Sequence, residues 1–383
     1  MQIGQWITRR QRILPIGLDI GHRAIKMVQL AVRDDGVRVL AAGREAVDLS
    51  DTSDEDSWHH QIAPAVRRLL TSGRFKGRDV VSALPASKLR ITSLRLSGME
   101  LDEAEMMLRR EAAHRFALDP GRDAVHHVSA GSIQQGDEIK NEFILFASDD
   151  ETIRRHVARL EGIGLRPAGI DAAPYALFRS FERVMRRQED KKRTIMFLDV
   201  GHRYTTVVLG RTGEICFVKQ MAFGAARFVE DVAAKLSIPI DDAHALRRRV
   251  ASDEALDPTT RRLVAEALHG TAERLAAEIA LCLKYYTVTF RGKRIERAIV
   301  AGGGVYEPTL LDVLRHCLAL EADVAEPLRG FDLGPVGTRV EDLGSAPDFA
   351  LAVGLTLKGW GASTAELVKS DVGLEGVLEG ASA

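Results

Sequence analysis

No stretch of the chain approaches the ~18 consecutive apolar residues of a membrane-spanning helix. The longest apolar runs, residues 194–198 and 143–146, have the length of buried strands. Cysteine is scarce. Cys216, Cys282 and Cys317 stand far apart, form no C-x-x-C pair and have apolar neighbours. A disulfide framework is therefore excluded, and the three read as reduced core thiols of a cytosolic protein. Net charge is almost absent, −1 from 53 Lys+Arg against 54 Asp+Glu. The chain as a whole is thus no polyanion binder, and no nucleic-acid partner is expected. The first fifteen residues carry Arg9, Arg10 and Arg12 but no apolar run before a small-residue cleavage site, so no secretory signal is expected. The pairs His59-His60 and His126-His127 are sequence neighbours, which diverge on a helix and oppose on a strand, so neither is a natural chelate.

What remains is ordinary globular composition, 45% hydrophobic and 28% charged over 383 residues, too long for one small core. The organising feature is a repeat. Leu18-Asp19-Ile20-Gly21-His22-Arg23 recurs as Leu198-Asp199-Val200-Gly201-His202-Arg203, 180 residues on. Each copy follows a strand-like run (13–16; 194–197) and precedes a second (24–30; 204–209). A third strand then follows through a glycine turn at Gly36 or Gly213. A repeat at half the chain length predicts two related lobes facing each other, not a solenoid of short units.

Helices are expected over 55–70, 102–116, 150–163, 175–185, 225–236, 241–249, 258–286, 308–320 and 349–358. Strands are expected at 79–84, 89–96, 124–133, 138–147, 167–170 and 295–300. Residues 86–166 read as an α+β insert. The predicted division is a first lobe of 13–85 with 167–190, the insert at 86–166, and a second lobe of 194–383 with a helical part at 225–294. The segment 179–193 holds seven Lys+Arg against three acids, which reads as a solvated helix end before a linker. The tail after Lys369 is small and polar and is expected to be loose.

An Asp-x-Gly turn between two strands leaves backbone N–H groups uncovered. Glycine lets the turn close on a phosphate, and the aspartate can hold hydrated Mg2+. One such turn is an ordinary hairpin. Two in the same context, Asp19/Gly21 and Asp199/Gly201, can grip one polyphosphate from both sides. Gly302-Gly303-Gly304, between a strand and a helix, permits close approach of a base or ribose, with a helix N-terminus behind it. Gly224 opens the next long helical stretch.

These three elements are similar to the phosphate-1, phosphate-2 and adenosine motifs of the actin-like ATPase superfamily. With the insert and the stretches around Gly164, Asp171, Lys235, Lys284 and Gly354, residues 13–360 resemble the type IV pilus assembly PilM family of the FtsA/PilM branch. The resemblance implies an α/β actin-like fold of two duplicated lobes around a nucleotide cleft, with the insert in the first lobe. It implies ATP and Mg2+ as ligands, the metal held through water by Asp19 and Asp199. It also implies a cytoplasmic adaptor, recruited to the inner membrane by the N-terminal cytoplasmic tail of a PilN-like protein and linked to the pilus motor ATPases.

Some positions depart from the family. His22-Arg23 and His202-Arg203 stand where small hydroxyl residues are usual. Arginine can supply charge-assisted contacts to phosphate, or both side chains can point away on strand faces. Lys26 reads equally as a phosphate ligand or a solvent-facing strand lysine. Thr205 and Thr206 can bond phosphate or serve as plain strand formers. Ala173 occupies the place of a usual Glu, so hydrolysis is expected to be slow or absent. Two other activities belong to the same fold. A small-molecule kinase needs a carboxylate base and a larger substrate lobe, which the chain does not display. An FtsA-like filament protein is expected to end in a basic amphipathic helix, whereas residues 370–383 hold Asp371, Glu375 and Glu379 and no Lys or Arg.

Overall fold

The computed structural model describes residues 11–33, 36–49, 58–97, 101–135, 138–182, 193–211, 213–251, 256–289, 294–334, 346–358 and 360. The expectations for residues 55–57, for the basic stretch from 183 to 192 and for the tail after 369 lie outside them.

Two of the three sheets repeat one plan. In the first, β1 (Arg12–Ile13) and β2 (Ile16–Ile20) run end to end along β3 (Ala24–Arg33), broken by Pro15. β4 (Gly36–Ala46) flanks β3, and β5 (Asp79–Ala83) and β9 (Arg166–Asp171) extend the other side in parallel. In the second, β10 (Ile195–Val200), β11 (Thr205–Arg211), β12 (Glu214–Met221), β13 (Arg297–Ala301) and β14 (Glu321–Val324) take the order β12-β11-β10-β13-β14. Third, second, first, fourth, fifth is the strand order of both. The registers also match, for Asp19 pairs with Lys26 and Asp199 with Thr206, at the same 180-residue offset.

Strand alternation then assigns faces. On β10, Met196, Leu198 and Val200 pack with α5 (Ala226–Leu236), α7 (Pro258–Thr289) and α8 (Leu310–Leu318). Ile195 and Phe197 point the other way, onto Leu177, Phe178 and Phe181 of α4 (Ala173–Glu182). On β2 and β3, Ile16, Leu18, Ile25 and Met27 pack with α1 (Ala63–Ser72) and with Leu160 and Ile163 at the end of α3 (Asp150–Gly162). Their opposite face, with Leu14, Val28 and Leu30, is covered by Leu328, Phe331, Phe349, Val353 and Leu357. The last two belong to or follow α9 (Ala350–Thr356).

The division of the chain differs from the expected one in two places. α3 packs on the first sheet, not within the insert, and residues 328–333 and 346–357 pack on the first lobe. The reason is physical: β2 and β3 are apolar on both faces, so a second covering layer is needed to keep Leu14, Val28 and Leu30 from water.

The insert is the antiparallel sheet of β6 (Arg90–Ser97), β8 (Glu138–Ser148) and β7 (Ala124–Gln135). Leu94, Phe143 and Leu145 pack under Ala104, Leu108 and Ala112 of α2 (Leu101–Phe116). The other face, through Val128, Ala130, Ile144 and Phe146, packs on Ile215 and Val218 of the second lobe and on α4. The insert is thus bonded covalently to one lobe and packed against the other.

Glycines set the closest helix approaches. A Cβ on Gly17 of β2 would lie 2.0 Å from the Ala352 carbonyl oxygen, and one on Gly354 of α9 would lie 1.7 Å from that of Ala176 on α4. By contrast Gly270, within α7, has nothing within 4 Å of such a Cβ. Gly354→Ala should therefore cost about 1–3 kcal/mol or more by overpacking, while Gly270→Ala should stabilise by about 0.5–1 kcal/mol through helix propensity. Urea unfolding of both variants checks this pair; equal effects would mean that the α4–α9 crossing is looser than described.

Candidate functional site

Alternation and duplication aim two carboxylates into the gap between the lobes. Asp19 shares a face of β2 with Gly17, which touches α9. Asp199 shares a face of β10 with Ile195 and Phe197, which touch α4. Each ends its strand region just before a turn of the same build. The Gly21 N–H donates to the Ala24 carbonyl (3.1 Å) and the Gly201 N–H to the Tyr204 carbonyl (2.9 Å). In both copies a Cβ on the glycine would stand 2.9 Å from that carbonyl oxygen.

The duplication is broken at one point. Opposite Asp19 is Lys26, whose Nζ donates to Asp19 Oδ2 at 2.6 Å. Opposite Asp199 is Thr206, which carries no charge. Lys26 is therefore neither a solvent lysine nor an uncommitted one. Burial opposes its charge, but Asp19, with Asp348 and Asp199 behind it, outweighs burial and raises its pKa. Asp199 is left short of a cation. Burial and then the Asp19 charge push its pKa up to about 6, against the pull of Lys26 and with a further push from Asp348.

The turns face each other. The ring centroids of His22 and His202 are 6.5 Å apart, and His22 lies 6.2 Å from Tyr204. Burial, then Arg203, lowers the His22 pKa. Burial, then Arg23, brings His202 down to about 4. Both rings are thus neutral acceptors at pH 7 between two guanidinium groups. Arg23 pairs with Asp48 (2.6 Å) and donates to Nε2 of His244 (3.3 Å) on α6 (Ile240–Ala251), so it reaches from the first lobe to the helical part of the second. Arg203 is exposed.

Other predicted residues play supporting parts. Thr205 is fully buried and its hydroxyl donates to the Phe223 carbonyl (2.6 Å), which fixes the strand end and leaves no donor for a ligand. Gly224 lets the start of α5 pack under the second turn, where a Cβ would lie 2.4 Å from the His202 carbonyl oxygen. The Ala225 and Ala226 N–H groups donate to Gly201 and His202 carbonyls, both at 2.8 Å. Within the glycine triplet, Gly302 has φ +87° and a Cβ there would meet Asp199 Oδ1 at 2.3 Å. Gly304 packs on Val200 in the same way, whereas Gly303 is open. The triplet does not lead straight into a helix: a short 3-10 turn (Gly303–Tyr306) intervenes, and α8 starts only at Leu310. The helix N-terminus expected behind the glycines is thus displaced from them.

Sequence reasoning missed several neighbours. Asp348 is 5% exposed, accepts from the Tyr306 hydroxyl (3.1 Å), pairs with Arg44 (3.4 Å) and leaves Oδ2 without a hydrogen bond. Glu307 is 2% exposed, ion-paired to Arg247 of α6 at 3.0 Å, with its pKa raised by burial. His244, Arg247 and Arg248 sit at i, i+3 and i+4 on α6, a spacing that marks one helix face. Nothing comparable marks Asp348. Cys317, expected in a core, is exposed, while Cys216 and Cys282 are buried. No helix among the described residues is long and apolar enough to cross a membrane.

Asp199 makes a stability prediction with a definite sign. Its folded pKa lies above the ordinary 3.8, so its contribution is fully present below about pH 4 and lost as pH rises through about 6. Two units correspond to roughly 2–3 kcal/mol. Asp199→Asn should remove that slope and leave the ligand-free protein more stable than the wild type at pH 7.5. Chemical denaturation at pH 4 to 8 checks it, and parallel curves for the two proteins would refute the raised pKa.

Comparison with known proteins follows this geometry. A profile of the family described as "Type IV pilus assembly protein PilM" matches residues 17–360. Among solved structures the chain is similar to the "PilM-PilN type IV pilus biogenesis complex", at 22% identity and TM-score 0.73, covering 91% of this chain and 99% of that one. It is also similar to ethanolamine utilization protein EutJ from Carboxydothermus hydrogenoformans, at 14% identity and TM-score 0.52, covering 91% and 90%. A search of curated protein sequences gave no match. The two lobes of identical strand order, with a cleft between them, are the actin-like ATPase fold.

Proposed function

The chain belongs to the type IV pilus assembly protein PilM family, and from that membership and the cleft we propose that it is a nucleotide-binding adaptor of a pilus assembly platform. It binds ATP with Mg2+ between its lobes and docks the N-terminal cytoplasmic tail of a PilN-like inner-membrane protein. That tail recruits it from the cytoplasm to the inner face of the membrane, where it connects the platform to the motor ATPases.

The observation that carries the nucleotide reading is the approach of the duplicated turns, His22 to His202 at 6.5 Å. A polyphosphate between them meets backbone N–H groups from both lobes, with Arg23 and Arg203 at its flanks. Gly302, where a Cβ would collide with Asp199 Oδ1 and the Val200 carbonyl, lets the glycine loop close directly on the end of that strand, and Gly303 beside it is open. Asp19 and Asp199 are the residues that would hold Mg2+ through water, and the cation would supply the positive charge that Asp199 lacks. The two histidines, neutral without ligand, accept protons as phosphate charge enters.

Hydrolysis is not the purpose of this site. Ala173 offers no carboxylate, and Asp171, the acid before it, is already bound to Arg179 at 2.8 Å. Burial alone would raise its pKa, yet Arg179 and Lys358 hold it below the ordinary value, which makes it a weak base. Nucleotide then acts by favouring the closed arrangement of the lobes through contacts to both. The PilN-like partner is supported by family membership and by the related structure solved as a PilM-PilN complex.

Calorimetry tests both halves. ATP with Mg2+ and a synthetic PilN-type tail peptide should each bind. Lys26→Met should weaken ATP at least about tenfold, about 1.4 kcal/mol, and leave peptide binding in place. Brisk ATP turnover without peptide binding would reverse the proposal. Because the ligand-free His202 pKa is about 4, phosphate can only raise it. Asp199, pushed up to about 6 without ligand, gives up a proton to the cation in the opposite direction, so the uptake by the ring is read as a difference: near pH 6 the wild type should bind more protons with ATP and Mg2+ than His202→Ala does. Titrations in buffers of different ionisation enthalpy read this directly; equal proton uptake by the two proteins would place the phosphates away from that ring.

A further inference from the structure

Side chains bridge the cleft in two places, and the two bridges are unequal. Beside the facing turns, Arg23 of the first lobe donates to Nε2 of His244 on α6 at 3.3 Å. A guanidinium only donates, so Nε2 accepts and the ring proton sits on Nδ1. Burial, then Arg247 and Arg23, lowers the His244 pKa, which leaves that lone pair free at pH 7.

Beside the glycine triplet, the Tyr306 hydroxyl donates to Asp348 Oδ1 at 3.1 Å. The Gly302 N–H donates to the neighbouring Pro347 carbonyl at 3.2 Å. Pro347 and Asp348 lie between Ala346 and Phe349, which cover the first sheet, so these bonds also run from lobe to lobe. Arg247 of α6 pairs with Glu307, next to Tyr306, and so ties both second-lobe partners into one body.

The two bridges differ in what breaking them leaves behind. Arg23 keeps Asp48 of its own lobe at 2.6 Å when His244 withdraws, and the two side chains are 38% and 58% exposed. Water then hydrates the freed nitrogen, so the exchange is nearly neutral. Asp348 is buried, and its Oδ2 already lacks a hydrogen bond. Withdrawal of Tyr306 would leave that carboxylate facing Arg44 with no hydrogen bond at all, and would part the Gly302 and Pro347 backbones as well.

We propose that Arg23–His244 is the gate of the cleft and Tyr306–Asp348 its pivot, so that ligand enters and leaves when α6 lets go of Arg23. This rests on the nucleotide reading of the cleft and adds to it the contact that regulates exchange. A contact broken only on the way in and out slows entry and release alike and leaves affinity unchanged.

Three variants test the gate. In stopped-flow mixing with a fluorescent ATP analogue and Mg2+, His244→Ala should raise association and release rates together, at least about fivefold, with Kd held within about twofold. His244→Gln, whose side-chain oxygen reaches the place of Nε2 and accepts from Arg23, should return both rates towards the wild type. Tyr306→Phe should instead lower the urea midpoint and leave release within about twofold of the wild type. Amide hydrogen exchange reads the gate without nucleotide. The Val47 and Leu49 amides donate to the Arg23 and His22 carbonyls and should exchange faster in His244→Ala, while the Gly302 amide at the pivot keeps its protection. Rates and exchange that do not respond to His244→Ala overturn the gate, and faster release in Tyr306→Phe than in His244→Ala overturns the assignment of pivot and gate. A wild type that binds no nucleotide refutes the nucleotide reading itself. Hydrogen exchange then decides the gate alone, and loss of protection at Gly302 together with Val47 and Leu49 overturns it.

Discussion

One ammonium group serves two carboxylates that belong to different lobes. Gene-scale duplication would be expected to supply each Asp-x-Gly turn with its own counter-charge, yet Lys26 opposite Asp19 is answered by Thr206 opposite Asp199. The salt bridge satisfies Asp19 within the first lobe, and Asp199 faces a negative neighbour, with Asp348 adding a third acid. The ligand-free cleft is therefore strained electrostatically in a specific direction. Bringing the lobes together raises the cost of Asp199, and a cation placed between the acids lowers it. A metal–polyphosphate ligand is the kind of molecule that relieves this strain while meeting the neutral histidines and flanking arginines with negative charge.

The same cleft is framed mechanically by two crossings too tight for any side chain, Gly17 on Ala352 and Gly354 on Ala176. These hold α4 and α9 against both sheets, so the lobes share a rigid joint at one end of the gap. The insert adds a second connection. Its sheet is continuous in the chain with the first lobe, but its apolar face lies on Ile215 and Val218 of the second. Arg95 extends that contact to the Thr289 carbonyl at the end of α7. Any change in lobe angle must be absorbed either at the apolar face of the insert or in its two connections to the first lobe. A peptide seated beside the insert would feel the state of the cleft through that choice.

Much of this was legible in the order of residues because it is local or periodic. The 180-residue repeat became two sheets with the same strand order and register, since a repeat of strand, turn and strand carries its pairing with it. The α+β pattern of the insert likewise became three strands and a helix. What could not be read depends on contacts between distant segments. Residues 328–333 and 346–357 return to the first lobe because Leu14, Val28 and Leu30 leave an apolar face uncovered, a demand visible only once the strands are placed. Asp348 lies 149 residues after Asp199 and has no motif around it, so nothing short of the fold brings them together. Cys317 has apolar sequence neighbours on α8, yet the turn of the helix points it outward.

Asp171 shows how a carboxylate at a strand end can be diverted from chemistry. β5 and β9 pair Ala83 with Asp171, and β5 lies in turn beside β2, the strand that carries Asp19. An acid there sits at the edge of the cleft, where a catalytic group would be useful. Instead its Oδ2 accepts from Arg179 of α4, and the same arginine donates to the Gly354 carbonyl of α9 at 2.9 Å. Lys358, just beyond α9, donates to the Ile170 carbonyl at 2.9 Å. The charge of Asp171 is thus tied to both helices at their crossing. Freeing it to activate water would mean breaking a buried ion pair and loosening the joint between the lobes, a cost of several kcal/mol. A protein that uses nucleotide to set the lobe arrangement gains from that tie; one built for turnover would be hindered by it.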